Sequence, residues 1–335
     1  MVAVPAAQHD SPPAASALSR RGGRRPVASR LLFFALFLGV PLLVYIVFVV
    51  SPFLQAFYYS LTDWRGVSGN AEFIGLDNYV KIFNDPVYRK ALANNLILMI
   101  VLPSVTITLA FVLAVMVTIG GDSRGEIRGI KGASIYRVVS FFPYVLPAVV
   151  IGILFAFIYS PNGGLLNGIL NIPIGLLNSL GADISPVGTA WLGERKLAMG
   201  AVIAAVVWSL VGFYMVLFVA AIKAIPSETI EAARLDGAGR TRLAFQVVLP
   251  QIRENVSTAV VYMGIMALDM FVYVSVMTPS GGTGKSTEVV SRYLYETAFA
   301  RSQFGLASAM GVVLALVTML MAVVVLFASR SKEDA

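Results

Sequence analysis

Six long apolar stretches constrain the fold of this 335-residue chain more than any other feature. A bilayer core about 30 Å thick is crossed by a helix of about 20 apolar residues, because each residue adds about 1.5 Å. Each stretch is long enough to cross, so the sequence predicts an all-α polytopic membrane protein with six transmembrane helices. The stretches lie at 31–51, 93–119, 135–159, 198–222, 255–278 and 305–328.

The composition excludes a soluble globular fold. Hydrophobic residues make up 58% of the chain and charged residues 13%, whereas soluble domains contain about 45–50% and about 25%. A chain this apolar cannot cover its surface with polar groups unless lipid covers part of it.

Prolines within the apolar stretches predict kinks. Pro41, Pro103, Pro143 and Pro147 all fall inside predicted spans, where neighbouring helices can compensate for the lost hydrogen bond. A further apolar stretch at 162–182 is interrupted by Asn, Gly and Pro. We expect an exposed external loop with short helices there, not a seventh span.

The distribution of Lys and Arg predicts the orientation. With six spans and a cytoplasmic N terminus, sixteen of the 25 Lys and Arg residues fall in cytoplasmic segments and nine in external ones. Because positive residues accumulate on the cytoplasmic side, both termini are predicted to be cytoplasmic. Residues 1–30, rich in Pro, Ala, Ser and Arg, are predicted to be a disordered tail, and 329–335 a second tail. A cleaved signal peptide is the alternative, but the run at 31–50 exceeds the usual apolar length of about 7–15 residues.

The chain lacks the side chains of an intramembrane enzyme. It contains no Cys, and its one His, His9, lies in the N-terminal tail. Thiolate chemistry, a Ser–His dyad and a His-ligated metal in the membrane are therefore excluded. Asp269 is the only acid deep within a span, so a two-aspartate mechanism is excluded as well. We predict no catalytic residue, no metal and no cofactor.

The cytoplasmic loop at 223–254, called here the coupling loop, predicts two short helices. Ser227 can cap the first helix, and acids lie in its first turns, where the helix dipole favours them. Gly237 can take the left-handed conformation that ends this helix. The second helix is predicted at 240–248, and Pro250 stops it soon after.

The same loop predicts a docking surface. Its apolar residues Ile230, Leu235, Leu243 and Phe245 stand among charged residues. Exposed apolar side chains rimmed by polar ones are typical of a surface that binds another protein. The alternative is a solvated amphipathic connection between two spans.

The spacing of residues in the coupling loop resembles that of a known family. Glu231 begins a Glu-Ala-Ala triplet, Gly237 follows after three residues, and a Val-Val-Leu-Pro run begins after nine more, at Val247. This pattern resembles the EAA loop of ABC importer permeases, which carry Ile where this chain has Val247. The resemblance implies a type I ABC importer permease fold whose EAA loop docks on a cytoplasmic ATPase.

The resemblance implies roles for the matching residues. Glu231 should make a charged contact with the ATPase, Ala232 and Ala233 should allow close approach, and Gly237 should form the bend. The implied coupling residues are Glu231, Ala232, Ala233, Asp236, Gly237, Leu249 and Pro250.

Other segments resemble the carbohydrate-uptake class of these permeases, in particular the first permease subunit of the maltose/glycerol-phosphate type. The resemblance covers about 31–328 and implies a bacterial plasma-membrane protein with an external loop at 52–90 and a permease core at 91–328. The segments that carry it are 58–64, 73–79, 143–167 and 278–287.

The family resemblance also implies partners. They are a second permease subunit in a heterodimer, two cytoplasmic ATP-binding subunits that hydrolyse ATP, an extracellular solute-binding protein, a sugar and membrane lipid, with no nucleic acid. The alternative is an ion-coupled secondary transporter, which typically needs several intramembrane acids or a His relay.

Four residues are candidates for the substrate path. An acid at mid-membrane costs about 2.5–3.5 kcal/mol, so it usually faces a cavity or a partner. For Asp269 the sugar path, a structural pairing and a position near the membrane surface all stay open. Phe271 and Tyr273 can stack on a sugar or pack in the core, and Asn95 can bond sugar hydroxyls or a neighbouring helix.

The segment Ser280–Thr287 is similar to a phosphate-binding loop but fails its requirements. Pro279 stands where the first Gly of that motif belongs, and a membrane helix precedes it where the motif needs a β-strand. We therefore predict a flexible external turn that faces the binding protein, with no ATP site.

Overall fold

A computed structural model describes residues 33–66, 71–119, 129–130 and 132–330. Most of these residues are helical, and their only pairing of extended backbone is one antiparallel bridge between Thr62 and Phe73. The predicted tails lie outside these ranges, apart from residues 329–330. The helices are α1 (Ala35–Ser60), α2 (Asp77–Asn84), α3 (Pro86–Ile119), α4 (Ala133–Val145), α5 (Ala148–Ile158), α6 (Leu165–Ser179), α7 (Ala198–Lys223), α8 (Ser227–Leu235), α9 (240–251), α10 (Arg253–Leu268), α11 (Phe271–Met277), α12 (290–300) and α13 (Phe304–Arg330).

The predicted spans correspond to four long helices and two bent pairs. Among the described residues, α1, α3, α7 and α13 are each long and apolar enough to cross a membrane. The pair α4 and α5 is bent by 100°, and the pair α10 and α11 by 48°. Taking each pair as one span gives the predicted six, while the number of actual crossings and the side of each terminus stay predictions.

The chain divides into two compact units, Met1–Phe53 and Leu54–Ala335. Helix α1 continues to Ser60, beyond the predicted end of the first span at 51, which stays a prediction. Pro41 lies within α1 without ending it, directly after a turn of π-helix. The second unit contains the remaining helices and is the one described below.

Pro147 produces the sharpest bend in the second unit. Steric clash with a proline ring pushes the preceding residue out of the helical region. Leu146 accordingly has φ −75° and ψ 137°, and α5 begins directly after Pro147. Helices α3 and α4 continue through Pro103 and Pro143, so of these three prolines only Pro147 separates two helices.

The apolar stretch at 162–182 forms one helix, α6, where several short helices were predicted. Its 15 residues extend about 22 Å, too short for a bilayer core of about 30 Å. Three asparagines of α6 bond the backbone of the extended segment after it. Asn167 donates to the Thr189 carbonyl at 3.0 Å. Asn171 and Asn178 each bond one residue there, Val187 and Ile184, through both amide atoms.

The core of the second unit lies where α3 packs against α7 and α10. Two glycines allow close helix contacts. A Cβ on Gly212 would lie 1.7 Å from the Ser140 carbonyl oxygen, so α7 touches the backbone of α4 there. A Cβ on Gly152 would lie 2.9 Å from Val276, where α5 meets α11.

Candidate functional site

The first helix of the coupling loop ends in the bend that the sequence predicts. Gly237 has φ +80°. Its N–H donates to the Arg234 carbonyl, and the Ala238 N–H donates to the Ala233 carbonyl, each at 3.0 Å. This bond pair is the Schellman motif, which satisfies carbonyls left free at a helix end. The predicted cap is wrong, because α8 begins after Pro226 without a side-chain cap and Ser227 is its first residue.

The second helix of the coupling loop is longer than predicted. It runs from 240 to 251, and residues Leu243–Val248 form π-helical turns. Pro250 lies within its last turn, and the helix ends one residue later, before Ile252. The two helices are therefore separate rigid pieces joined at Gly237 and Gly239.

The apolar residues of the coupling loop fall into two groups. Ile230 and Leu243 are buried and join the core of the second unit, so their predicted exposure is wrong. Leu235 is 88% exposed and Phe245 53% exposed, as predicted. The two buried side chains attach the loop to the spans, which leaves the other two available for contact.

The implied coupling residues lie mostly on the open face of the loop. Glu231, Ala232 and Leu235 share one exposed face of α8, since residues three and four apart are neighbours on a helix. Of the seven implied coupling residues, five are exposed and two are half-buried: Glu231, Ala232, Asp236, Gly237 and Pro250 in the first group, Ala233 and Leu249 in the second.

A groove of about 730 Å³ adjoins the coupling loop. It lies beside the junction between α7 and the loop and is lined mainly by apolar side chains, among them Phe141, Phe213, Ile225 and Ile252. The groove therefore gives the base of the coupling loop a second open surface.

The substrate-path candidates lie around the break between α10 and α11. Asp269 occupies the break and is exposed, and within the described residues its carboxylate has no hydrogen-bond or ion-pair partner. Phe271 is half-buried at the start of α11. Tyr273 is buried, with its hydroxyl 3.3 Å from that of Ser209.

Asn95 lies on α3 next to this break and is fully buried. Its amide nitrogen donates to the Leu268 carbonyl at 3.1 Å, and its amide oxygen accepts the Val290 N–H at 2.8 Å. The break leaves carbonyls of α10 without helical partners. Asn95 thus satisfies one of these carbonyls and joins α3, α10 and α12 through their backbones.

The glycine-rich segment 280–287 is anchored by side chains from other segments. Lys90 donates to the Gly284 carbonyl at 2.9 Å, and the Thr283 hydroxyl donates to the Gly193 carbonyl at 2.7 Å. Asn94 donates to the carbonyls of Ser286 and Glu288. Two other parts of the chain, α3 and the segment before α7, thus attach the turn that was predicted to be flexible.

A chain of ion pairs follows this segment along α12. Glu288 is fully buried and pairs with Lys285 at 3.1 Å and with Arg292. Arg292 also pairs with Glu296 at 2.8 Å, and Glu296 with Arg301 at 2.6 Å. A buried carboxylate is tolerated when it is paired and hydrogen-bonded, and Glu288 meets both conditions.

Burial and these contacts shift the pKa values of Glu296 and Tyr293. Burial raises the pKa of the Glu296 carboxyl, but hydrogen bonds from Arg301 and Arg292 and the charge of Lys285 outweigh it and lower the pKa to about 2. Burial, together with the hydrogen bond that Tyr293 donates to the Asp85 carboxylate, raises the pKa of Tyr293 to about 12. At neutral pH Glu296 is therefore charged and Tyr293 neutral.

The sequence pattern of the binding-protein-dependent transport system inner membrane components matches residues 126–332. The diacetylchitobiose uptake system permease protein NgcF of Streptomyces coelicolor is 49% identical over 96% of this chain and 92% of its own. A probable ABC transporter permease of Bacillus subtilis, YurN, is 36% identical over 88% of this chain and 96% of its own.

The chain belongs to this permease family. The match includes the whole coupling loop and both broken spans, and it confirms the predicted resemblance. The permease is therefore a multi-pass protein of the plasma membrane. Family membership also sets aside the alternative of an ion-coupled secondary transporter.

Solved structures confirm the fold of the permease. A chain in a bacterial alginate ABC transporter, solved in complex with an alginate pentasaccharide-bound periplasmic protein, superposes with a TM-score of 0.75. The match covers 91% of the permease and 96% of that chain at 20% sequence identity. The predicted ABC importer permease fold is confirmed at this level.

The ion-pair chain of the permease was not predicted from the sequence, although one signal was present. Glu288, Arg292 and Glu296 follow one another at intervals of four residues, the spacing at which opposite charges meet on a helix. The contacts of Asn94 and Asn95 left no such signal, because their partners lie more than 170 residues away along the chain.

Proposed function

We propose that this permease forms one half of the translocation pathway of an ATP-driven carbohydrate importer. The observation that carries the proposal is the open face of α8, where Glu231, Ala232 and the 88% exposed Leu235 lie together at the EAA spacing. A large apolar side chain so exposed beside an acid suits a surface that docks on another protein. We take that protein to be a cytoplasmic ATPase.

The coupling loop is built to transmit movement. Ile230 and Leu243 anchor its two helices in the core, and the Gly237 bend fixes the end of α8. A displacement of α8 by the ATPase would therefore move α7 and α10 with it. Such rigid-body motion between two discrete arrangements is a common basis of switching. ATP hydrolysis itself is assigned to the partner, so the permease is not an enzyme.

The proposed complex contains a second permease subunit, two ATP-binding subunits and an extracellular solute-binding protein. The sugar class follows from relatives: NgcF is named for diacetylchitobiose uptake, and a Streptococcus mutans relative for multiple-sugar transport. We propose that Asp269 and Phe271 line the sugar path. Tyr273 and Asn95 are buried, so they would act on the path indirectly, Tyr273 through its contact with Ser209 and Asn95 through the backbone that it bonds.

Uptake in proteoliposomes tests the proposal. The permease is purified with its ATPase, second permease and binding protein, and uptake of radiolabelled diacetylchitobiose, xylose and maltose is measured with and without ATP. We expect ATP-dependent uptake of at least one sugar, and Glu231→Lys should abolish it while leaving membrane abundance unchanged. Glu228→Lys, an equal charge reversal in the same helix, is the matched control and should retain most uptake.

Two outcomes would contradict the proposal. Uptake driven by an ion gradient without ATP would remove the ATPase from the mechanism. Wild-type uptake by the Glu231→Lys variant would show that α8 is not the coupling helix, even if the importer itself works as proposed.

A further inference from the structure

Three aromatic rings lie in sequence beside the break between α10 and α11. The Phe271 ring is 5.2 Å from the Tyr295 ring, and the Tyr295 ring is 4.8 Å from the Phe299 ring, measured between centroids. The rings are tilted by 56° and 40° relative to each other, so they are not stacked face to face. We call Phe271, Tyr295 and Phe299 the aromatic track.

The outer two rings of the track are unusually open. Tyr295 is 52% exposed and Phe299 64% exposed, although the opposite face of α12 is buried through Val290, Tyr293 and Ala298. Aromatic side chains normally supply buried area in cores and interfaces. Within the described residues the Tyr295 hydroxyl makes no hydrogen bond, so it is free to bond a ligand.

The charges of α12 indicate which environment these rings face. Arg292, Glu296 and Arg301 lie on the same segment as Tyr295 and Phe299 and pair with one another. Charged side chains are costly in the hydrocarbon core. We therefore expect the segment, and with it the two exposed rings, to lie at the aqueous end of the spans.

The inner end of the track lies next to the break between α10 and α11, where one acid is unpaired. Phe271 follows two residues after Asp269, whose exposed carboxylate occupies the break in the span. Discontinuous helices in transporters frequently border substrate sites, because their free backbone and polar groups face a cavity. The track thus begins beside the break that holds Asp269 and continues along the predicted external segment.

We propose that Tyr295 and Phe299 bind the transported saccharide as it moves from the outside toward Asp269. A pyranose ring has an apolar C–H face, which packs on an aromatic ring, and hydroxyls at its edge, which bond a phenol or a carboxylate. Open rings followed by an unpaired acid match both parts of that chemistry. This inference rests on the proposed function and adds residues outside the predicted path.

The maximal rate of transport distinguishes sugar contact by these rings from binding-protein docking and from a role at the subunit interface. In the reconstituted importer, diacetylchitobiose uptake is measured over a range of binding-protein concentrations for Tyr295→Leu, Phe299→Leu and Tyr295→Phe. Loss of an aromatic contact is worth about 0.5–1.5 kcal/mol, which corresponds to about twofold to tenfold. We expect the maximal rate to fall by that factor in each Leu variant, with the half-saturating binding-protein concentration unchanged.

Two variants control for general damage. Tyr295→Phe keeps the ring and loses only the hydroxyl, so its maximal rate should fall less than that of Tyr295→Leu. Tyr262→Leu replaces a tyrosine that is 68% exposed on α10 and outside the track, and it should transport as the wild type does.

Each of the following outcomes would overturn the proposed role of the track. An unchanged maximal rate in both Leu variants would show that the rings do not touch the sugar. A raised half-saturating binding-protein concentration alone would assign them to binding-protein docking, and loss of the second permease from the purified complex would assign them to the subunit interface. Failure of the wild-type importer with every sugar would instead remove the proposed function, and the track with it.

Discussion

The coupling loop and the segment 278–303 flank the same broken span but are held in different ways. The segment 278–303 is called the external loop from here on, and it is not the predicted loop at 52–90. The coupling loop is fixed by local backbone bonds around Gly237 and by two buried apolar side chains, and its polar side chains are mostly left open. The external loop is fixed by buried ion pairs and by amides from α3. Polar side chains left open by their own fold are available to a partner, whereas the charged side chains of the external loop are paired within the chain.

The difference also decides what each loop does when the permease moves. A loop attached by two apolar anchors and ending in a fixed bend can be pushed as one piece. A loop bonded to α3 and to the segment before α7 holds parts of two spans together at one end. We infer that the coupling side receives the movement and that the outer side supplies the fixed reference for it.

Gly237→Pro should have the largest effect, because it disrupts the bend of the coupling loop. Proline requires φ near −65° and has no N–H, whereas Gly237 has φ +80° and donates to the Arg234 carbonyl. Sugar uptake is expected to fall about tenfold or more, with normal membrane abundance.

Gly239→Ala is the matched control for that variant. Gly239 has φ −68°, and a Cβ there would meet open space, so uptake should stay close to wild type. Equal loss in both variants would indicate that the whole connection, and not its left-handed bend, carries the coupling.

These two loops show how far sequence reasoning reaches. The spans, the Gly237 bend and the exposed residues of α8 were predictable, because each depends on local composition or on spacing within a few residues. The burial of Ile230 and Leu243 was not, since an amphipathic pattern does not specify which apolar residues meet the core. Asn95 was ambiguous for a related reason: its partners are set by how α3, α10 and α12 pack.

Asn95→Leu should have an intermediate effect, because it removes hydrogen bonds that hold the backbone beside the break between α10 and α11. The substitution keeps a buried side chain of similar size but leaves the Leu268 carbonyl and the Val290 N–H without their partner. A buried polar group left unsatisfied costs about 1–3 kcal/mol. We expect a clearly lower melting temperature of the purified permease and reduced uptake.

The neighbouring Ile97→Ala variant separates this effect from general disturbance of α3. Ile97 is 48% exposed on the same helix, so its truncation should change the melting temperature little. If Asn95→Leu were as stable as wild type, the backbone of the break would not depend on the amide, and Asn95 would return as a candidate for direct sugar contact.

Acid should have the smallest effect and should act on the external loop alone. The pKa of Glu296 is lowered in the folded chain from 4.5 to about 2. A carboxylate whose folded pKa is depressed adds stability above its unfolded pKa and loses it as the pH falls toward the folded value. The melting temperature of the purified permease should therefore be constant from about pH 7 to 5.5 and decline below about pH 4.5. Glu296→Gln has no charge to lose at this position. Its melting temperature should therefore be lower at neutral pH and decline less in acid. An identical decline in both proteins would assign the acid sensitivity to other carboxylates, including those of the coupling loop.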